Sequence, residues 1–225
     1  MDEVAKSIEG ESHDMPIMPF SSDAEVVSFA KAFLRDHAER FRKDIKICLT
    51  RDAKQSHAYF PALITCIAFA DFLSGLYAGK LDGHGLAELK TYASKFMSAA
   101  DYTSDRLDIL YECFRHKVAH LAQPYVVFDT HSKAKFKSQG RRLIAWTVLA
   151  SRRKPSIKIT TVNPAKEIIK AVTPWSVRYD HRVFVSIRRF ASDIEQSIPK
   201  YLRHLKSEKA ARDQFKRCMA IYFPK

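Results

Sequence analysis

From position 110 to 125 the chain reads LYECFRHKVAHLAQPY, which puts Arg115 beside His116 and leaves four residues between Arg115 and His120. Histidine exchanges a proton near neutral pH. The planar guanidinium of arginine offers two parallel donors to a phosphate. Together these residue types suit cleavage of RNA without a metal. That reaction needs a base for the 2′-hydroxyl, an acid for the leaving oxygen, and a cation where charge builds on the phosphate. Spacing alone is weak support. Arg, His and Lys also gather at helix C-termini, where they complement the macrodipole and cap the last carbonyls.

Other residues compete for attention. Glu112, His116 and His120 recur at i, i+4 and i+8, one face of a helix that could grip a metal. No HExxH and no further ligand accompanies them, so a solvated face is the simpler reading, and neither metal nor cofactor is expected. Asp71 interrupts the most apolar stretch of the chain. A buried carboxylate must be paired or protonated, so Asp71 either supports Arg115 or a motif histidine or makes a local structural bond. Two basic segments, carrying Lys133, Lys135, Lys137, Arg141 and Arg142, then Arg152, Arg153 and Lys154, could follow a phosphate backbone together with Lys117 beside the motif. Solvated hairpin tips would look the same. A nucleophile elbow, a Walker loop and a dinucleotide fingerprint are all lacking in the sequence.

The elements that must carry these residues are mostly helical. Residues 1–21 lack periodicity and read as a flexible arm, and 22–225 as one domain. Ser22 and Glu25 form an expected capping box, followed by a stripe of Val26, Ala30, Phe33, His37, Phe41, Ile45 and Cys48. A second helix over about 57–78 is apolar nearly all round and belongs at the centre of a bundle. A shorter helix over about 86–97 precedes a fourth, which begins at Thr103 or Ser104 and ends near Ala122, ahead of Pro124. At 100° per residue, Glu112, His116 and His120 lie opposite Leu107, Tyr111, Phe114 and Val118. Segments 125–130, 142–150 and 156–162 are rich in β-branched and aromatic residues, which predicts a small antiparallel meander inserted at about 125–162. A short helix over about 164–172 follows, then a long one seamed by Val183, Ile187, Phe190, Ile194, Ile198, Tyr201 and Leu205, with Pro199 kinking or restarting it. The chain closes on a basic helix reaching Tyr222.

With this arrangement the motif resembles the signature of the HEPN superfamily (higher eukaryotes and prokaryotes nucleotide-binding domain), an Arg-x4-6-His often with a polar residue directly after the arginine. Arg115, His116 and His120 fill those places, and the likeness covers about residues 22–125. It implies a HEPN-like up-and-down helical bundle and a metal-independent endoribonuclease leaving a cyclic phosphate. In it Arg115 would hold the phosphate, His120 would carry the proton and His116 would support them; Glu112 and Asp71 are further supporting candidates from the residues themselves. It also implies a homodimer with two motifs converging on one cleft, and a setting in toxin–antitoxin or antiviral defence with an antitoxin or other protein partner. A catalytically silent HEPN domain that binds nucleic acid, a nucleotide or a protein is the alternative, since part of the family lacks activity.

Composition agrees with a polyanionic partner. The chain of 225 residues carries a formal net charge of +13, which favours RNA through long-range attraction and counterion release. An acidic protein partner would exploit the same charge. Cys48, Cys66, Cys113 and Cys218 show no metal-ligand spacing and read as reduced residues of a cytoplasmic protein. The acidic N-terminus is unlike a signal peptide. The apolar run from 59 to 76 is short and broken by Pro61, Asp71 and Gly75, so no membrane partner is expected.

Overall fold

The structure, a computed structural model, describes residues 20–51, 58–115, 127–129, 141–161 and 181–223, with the backbone alone at Cys113, Arg115, 127–129 and 141–143. Helix α1 (Asp23–Cys48) begins where the Ser22 hydroxyl accepts the Glu25 amide at 3.2 Å. The other half of the expected box is displaced by one residue. The Glu25 carboxylate takes the amide and hydroxyl of Ser21, both at 2.7 Å. The predicted stripe is buried from Val26 to Ile45 and widened by Leu34 and Ala38, while His37 and Cys48 are half-buried.

Helix α2 (Tyr59–Ala78) is the centre of the bundle and packs against four other helices, including α1. Among the described residues it alone is long and apolar enough to cross a membrane, and most of it is buried inside the protein. It ends at Gly79, whose φ of 73° is the left-handed conformation that closes a helix without a Cβ penalty. Helix α3 (Leu86–Phe96) lies against it. Helix α4 (Ser104–Leu110) buries Leu107, Asp108, Ile109 and Leu110 and then widens into a π-turn (Tyr111–Arg115).

Strands β1 (Val127–Asp129), β2 (Arg141–Leu149) and β3 (Ile157–Thr161) coincide with the three predicted segments. The antiparallel meander does not hold. A fourth strand, β4 (His181–Ser186), stands between β2 and β3 in the order β1-β2-β4-β3. It pairs parallel with β2 and antiparallel with β3, so the sheet is mixed and extends beyond the expected boundary at 162. Val183 and Ile187 stand four apart, so residues from 183 onward read as the start of the long helix. The real period over 181–186 is two: His181, Val183 and Val185 are buried, with half-buried Arg182 and Phe184 between them. Helix α5 (Ile187–Ser207) therefore starts later than expected, and it runs through exposed Pro199 without ending. Helix α6 (Lys209–Tyr222) closes the described chain against α1, α2 and α5. The protein is mainly helical with a small mixed sheet.

One buried polar cluster joins the two parts. Asp193 on α5 accepts from Tyr102 at 2.7 Å, from Ser156 at 2.6 Å and from Arg189, whose guanidinium approaches at 2.7 and 3.1 Å. Burial, reinforced by the Asp193 charge, pushes the Tyr102 phenol well above its ordinary range, so it stays a donor. The turn between β2 and β3 is held as well. The Ser186 amide donates to the Ser156 carbonyl at 2.8 Å, the Arg189 amide to the Ser151 carbonyl at 3.1 Å, and the Ser151 hydroxyl to Ser186 Oγ at 2.9 Å. These bonds fix residues 151–156 over the first turn of α5.

Candidate nucleic-acid interface

The π-turn sets the surroundings of the motif. Phe114 is fully buried and meets Trp146 of β2 edge-on, with ring centroids 4.0 Å apart and planes at 89°. Its ring also lies 6.3 Å from that of Phe60, in the first turn of α2. The backbone of Arg115 therefore follows a residue anchored on both β2 and α2. Glu112 is half-buried within the same turn. A π-turn closes i→i+5 bonds and holds more residues than an α-turn. Tyr111 and Phe114 are nonetheless buried, as the 100° projection expects, and of the polar stripe only Glu112 is among the described residues. Lone π-turns inside helices are frequent at functional sites. His116, Lys117, His120, Lys133, Lys135 and Lys137 lie outside the described residues.

Asp71 takes a partner that the sequence did not single out. His84, in the turn after α2, presents Nε2 to Asp71 Oδ2 at 3.3 Å, while its Nδ1 donates to the Leu81 carbonyl at 2.9 Å. Gly75 makes room for this turn. A Cβ there would stand 2.7 Å from the Lys80 carbonyl and 3.3 Å from the imidazole. The pair forms the polar end of a cavity of about 330 Å³ whose remaining walls include Ile64, Phe72, Leu81 and Tyr222.

The basic residues fare differently from one another. Arg141 and Arg142 open β2. Arg152, Arg153 and Lys154 are exposed on the clamped turn, and the two arginines face a concave surface. One cavity of about 410 Å³ is walled by Arg51, Tyr59, Ser151, Arg153 and Arg188. A second, of about 300 Å³, is walled by Arg42, Lys46, Arg152, Arg188 and Glu195. They share Arg188, so the two concavities adjoin at that side chain, together an arginine-walled depression. Glu195 is its one acidic wall residue among the described residues and is answered by Arg42 at 3.0 Å. Arg152, Arg153 and Arg188 make no ion pair among the described residues, so their charge faces solvent. Lys154 shares the turn but lines neither cavity.

Arg42, Lys46, Arg51 and Arg188 were not picked out from the sequence. They come from the end of α1, the segment after it and the first turn of α5, and only the fold collects them. The single local signal is the Arg188–Arg189 pair. There the two side chains divide, Arg189 turning inward to Asp193 and Arg188 outward.

Among the described residues no group of three His, Cys, Asp or Glu side chains could hold a metal. Cys66 and Cys218 are buried, and burial pushes both thiols up, Cys218 to about 12, which makes them inert core residues. No protein-family profile, curated protein or solved structure matches the chain.

Proposed function

We propose that the protein binds RNA in the arginine-walled depression and cuts it, without a metal, through Arg115 and His120 in the manner of a HEPN endoribonuclease. The observation that supports this reading is the depression itself. Five arginines and a lysine from α1, the segment after it, the β2–β3 turn and α5 line it, against one paired carboxylate among the described residues. Such a surface neutralises several phosphates and releases their counterions. Two of its arginines, Arg152 and Arg153, sit on a turn fixed by backbone hydrogen bonds, so they need little ordering when a strand docks. The adjoining wall reaches Tyr59, one residue from the Phe60 ring that packs near Phe114. A strand lying there comes close to the segment that carries Arg115. Pairing of two copies about the motif, a protein antitoxin and a defence setting belong to this proposal through the family resemblance. The second reading is a silent HEPN-like RNA binder, which the same depression favours because binding needs no chemistry.

The test is the salt dependence of RNA affinity. For a single strand, log Kd changes with log salt by about 0.7 per phosphate neutralised. A triple Arg152→Gln, Arg153→Gln, Arg188→Gln variant is expected to bind RNA more weakly whatever its sequence, with a salt slope smaller by about 2. Unchanged affinity and slope would place RNA elsewhere and remove this support.

A further inference from the structure

Next to the arginine depression lies a third cavity of different character. It measures about 300 Å³ and is walled by Tyr59, Phe60 and Pro61 at the start of α2 and by Trp146 and Val148 on β2, with Ala58 at its edge. Tyr59 is common to this slot and to the arginine depression, so the two adjoin at its side chain. We propose that the slot receives one unpaired nucleobase of the strand whose phosphates occupy the depression. This deepens the RNA-binding reading and rests on it.

Four features carry the inference. First, the slot is lined by aromatic rings and apolar side chains with no charged residue among the described ones, whereas several arginines line the neighbouring depression. A flat π-surface beside a cationic track is the arrangement that holds single strands, bases stacked and phosphates paired. Second, Phe60 is 36% exposed, one of the few large apolar side chains left so open among the described residues. Third, the floor is rigid, because Trp146 is braced edge-on by fully buried Phe114. A braced ring stacks without losing much side-chain freedom. Fourth, the first turn of α2 carries no acidic residue and no side-chain cap, so its dipole also favours a phosphate beside the base. A base paired in a duplex keeps both faces stacked and cannot enter, so the slot selects an unpaired nucleotide. Phe114 immediately precedes Arg115 in the chain, so a base held there sets the register of the strand on the motif.

The full chain can report on this directly. It has two tryptophans, and Trp175 → Phe leaves Trp146 as the only one. In that background, with His120→Ala added to prevent cutting, a short single-stranded RNA is expected to quench Trp146 fluorescence, and the same RNA annealed to its complement is not. Phe60→Ala is expected to weaken single-strand binding by about 5- to 150-fold, the worth of one stacked base. Inorganic polyphosphate, which has charge and no bases, should bind both forms alike. Circular dichroism establishes that the variants are folded. If RNA binds with full strength to Phe60→Ala and leaves Trp146 unquenched, the base slot is wrong while the arginine depression stands. If neither RNA nor polyphosphate binds, the RNA reading itself falls and this inference falls with it.

Discussion

His120→Ala is expected to slow RNA cleavage by about 10²- to 10⁴-fold, the usual worth of a positioned proton-transfer group. RNA affinity and its salt slope should hardly change, because the arginines proposed to hold the phosphates belong to other elements. Arg115→Ala should lower cleavage comparably by removing the cation on the reacting phosphate. The competing role for both residues is closure of a helix C-terminus. A cation lost there costs up to about 2 kcal/mol of stability and leaves chemistry untouched. Measuring cleavage rate and denaturation midpoint on the same variants separates the two. Lost activity at constant stability supports the site; lost stability at constant activity supports the cap.

Asp193→Ala should be the most damaging single change to the fold. It removes the acceptor for Tyr102 and Ser156 and leaves Arg189, only one-fifth exposed, without its partner. Breaking a buried pair of this kind costs about 3–5 kcal/mol. Urea unfolding is expected to show a lower midpoint with an unchanged slope. Asp193→Asn should lose less, since its amide oxygen still accepts. The variant should also weaken RNA binding, because the 151–156 turn that presents Arg152 and Arg153 is fastened to α5 through Ser156. Alkali attacks the same region. Burial pushes up the phenols of Tyr92, Tyr102 and Tyr201, so the folded chain keeps protons that the unfolded chain releases above pH about 10. Their contribution is complete below that pH and declines as pH rises beyond it. A stability profile flat from pH 9 to 11 would contradict that account.

How much of this was legible in the sequence depended on the range of the signal. Helices α1 to α3 and the strands β1 to β3 follow from local periodicity and composition, and Ser22 marks a real boundary. The strand β4 was hidden because a six-residue alternation beside a long amphipathic helix satisfies both periods at Val183. The parallel β2–β4 pairing is a long-range choice that no local pattern encodes. The π-turn was invisible for a related reason, since its apolar positions fit an α-helix equally well. At the candidate site, Arg152 and Arg153 stood out as a local charge cluster. Arg42, Lys46 and Arg51 did not, because each lies on a stretch that is polar for ordinary reasons and only the packing of α1 beside α5 brings them together.

Incubation of the purified full chain with single-stranded RNA in excess chelator asks the central question outright. The account predicts cleavage that persists without divalent metal, leaves cyclic phosphate ends and disappears in His120→Ala. RNA that stays intact while demonstrably bound, or that is cut only when a metal is supplied, would contradict it.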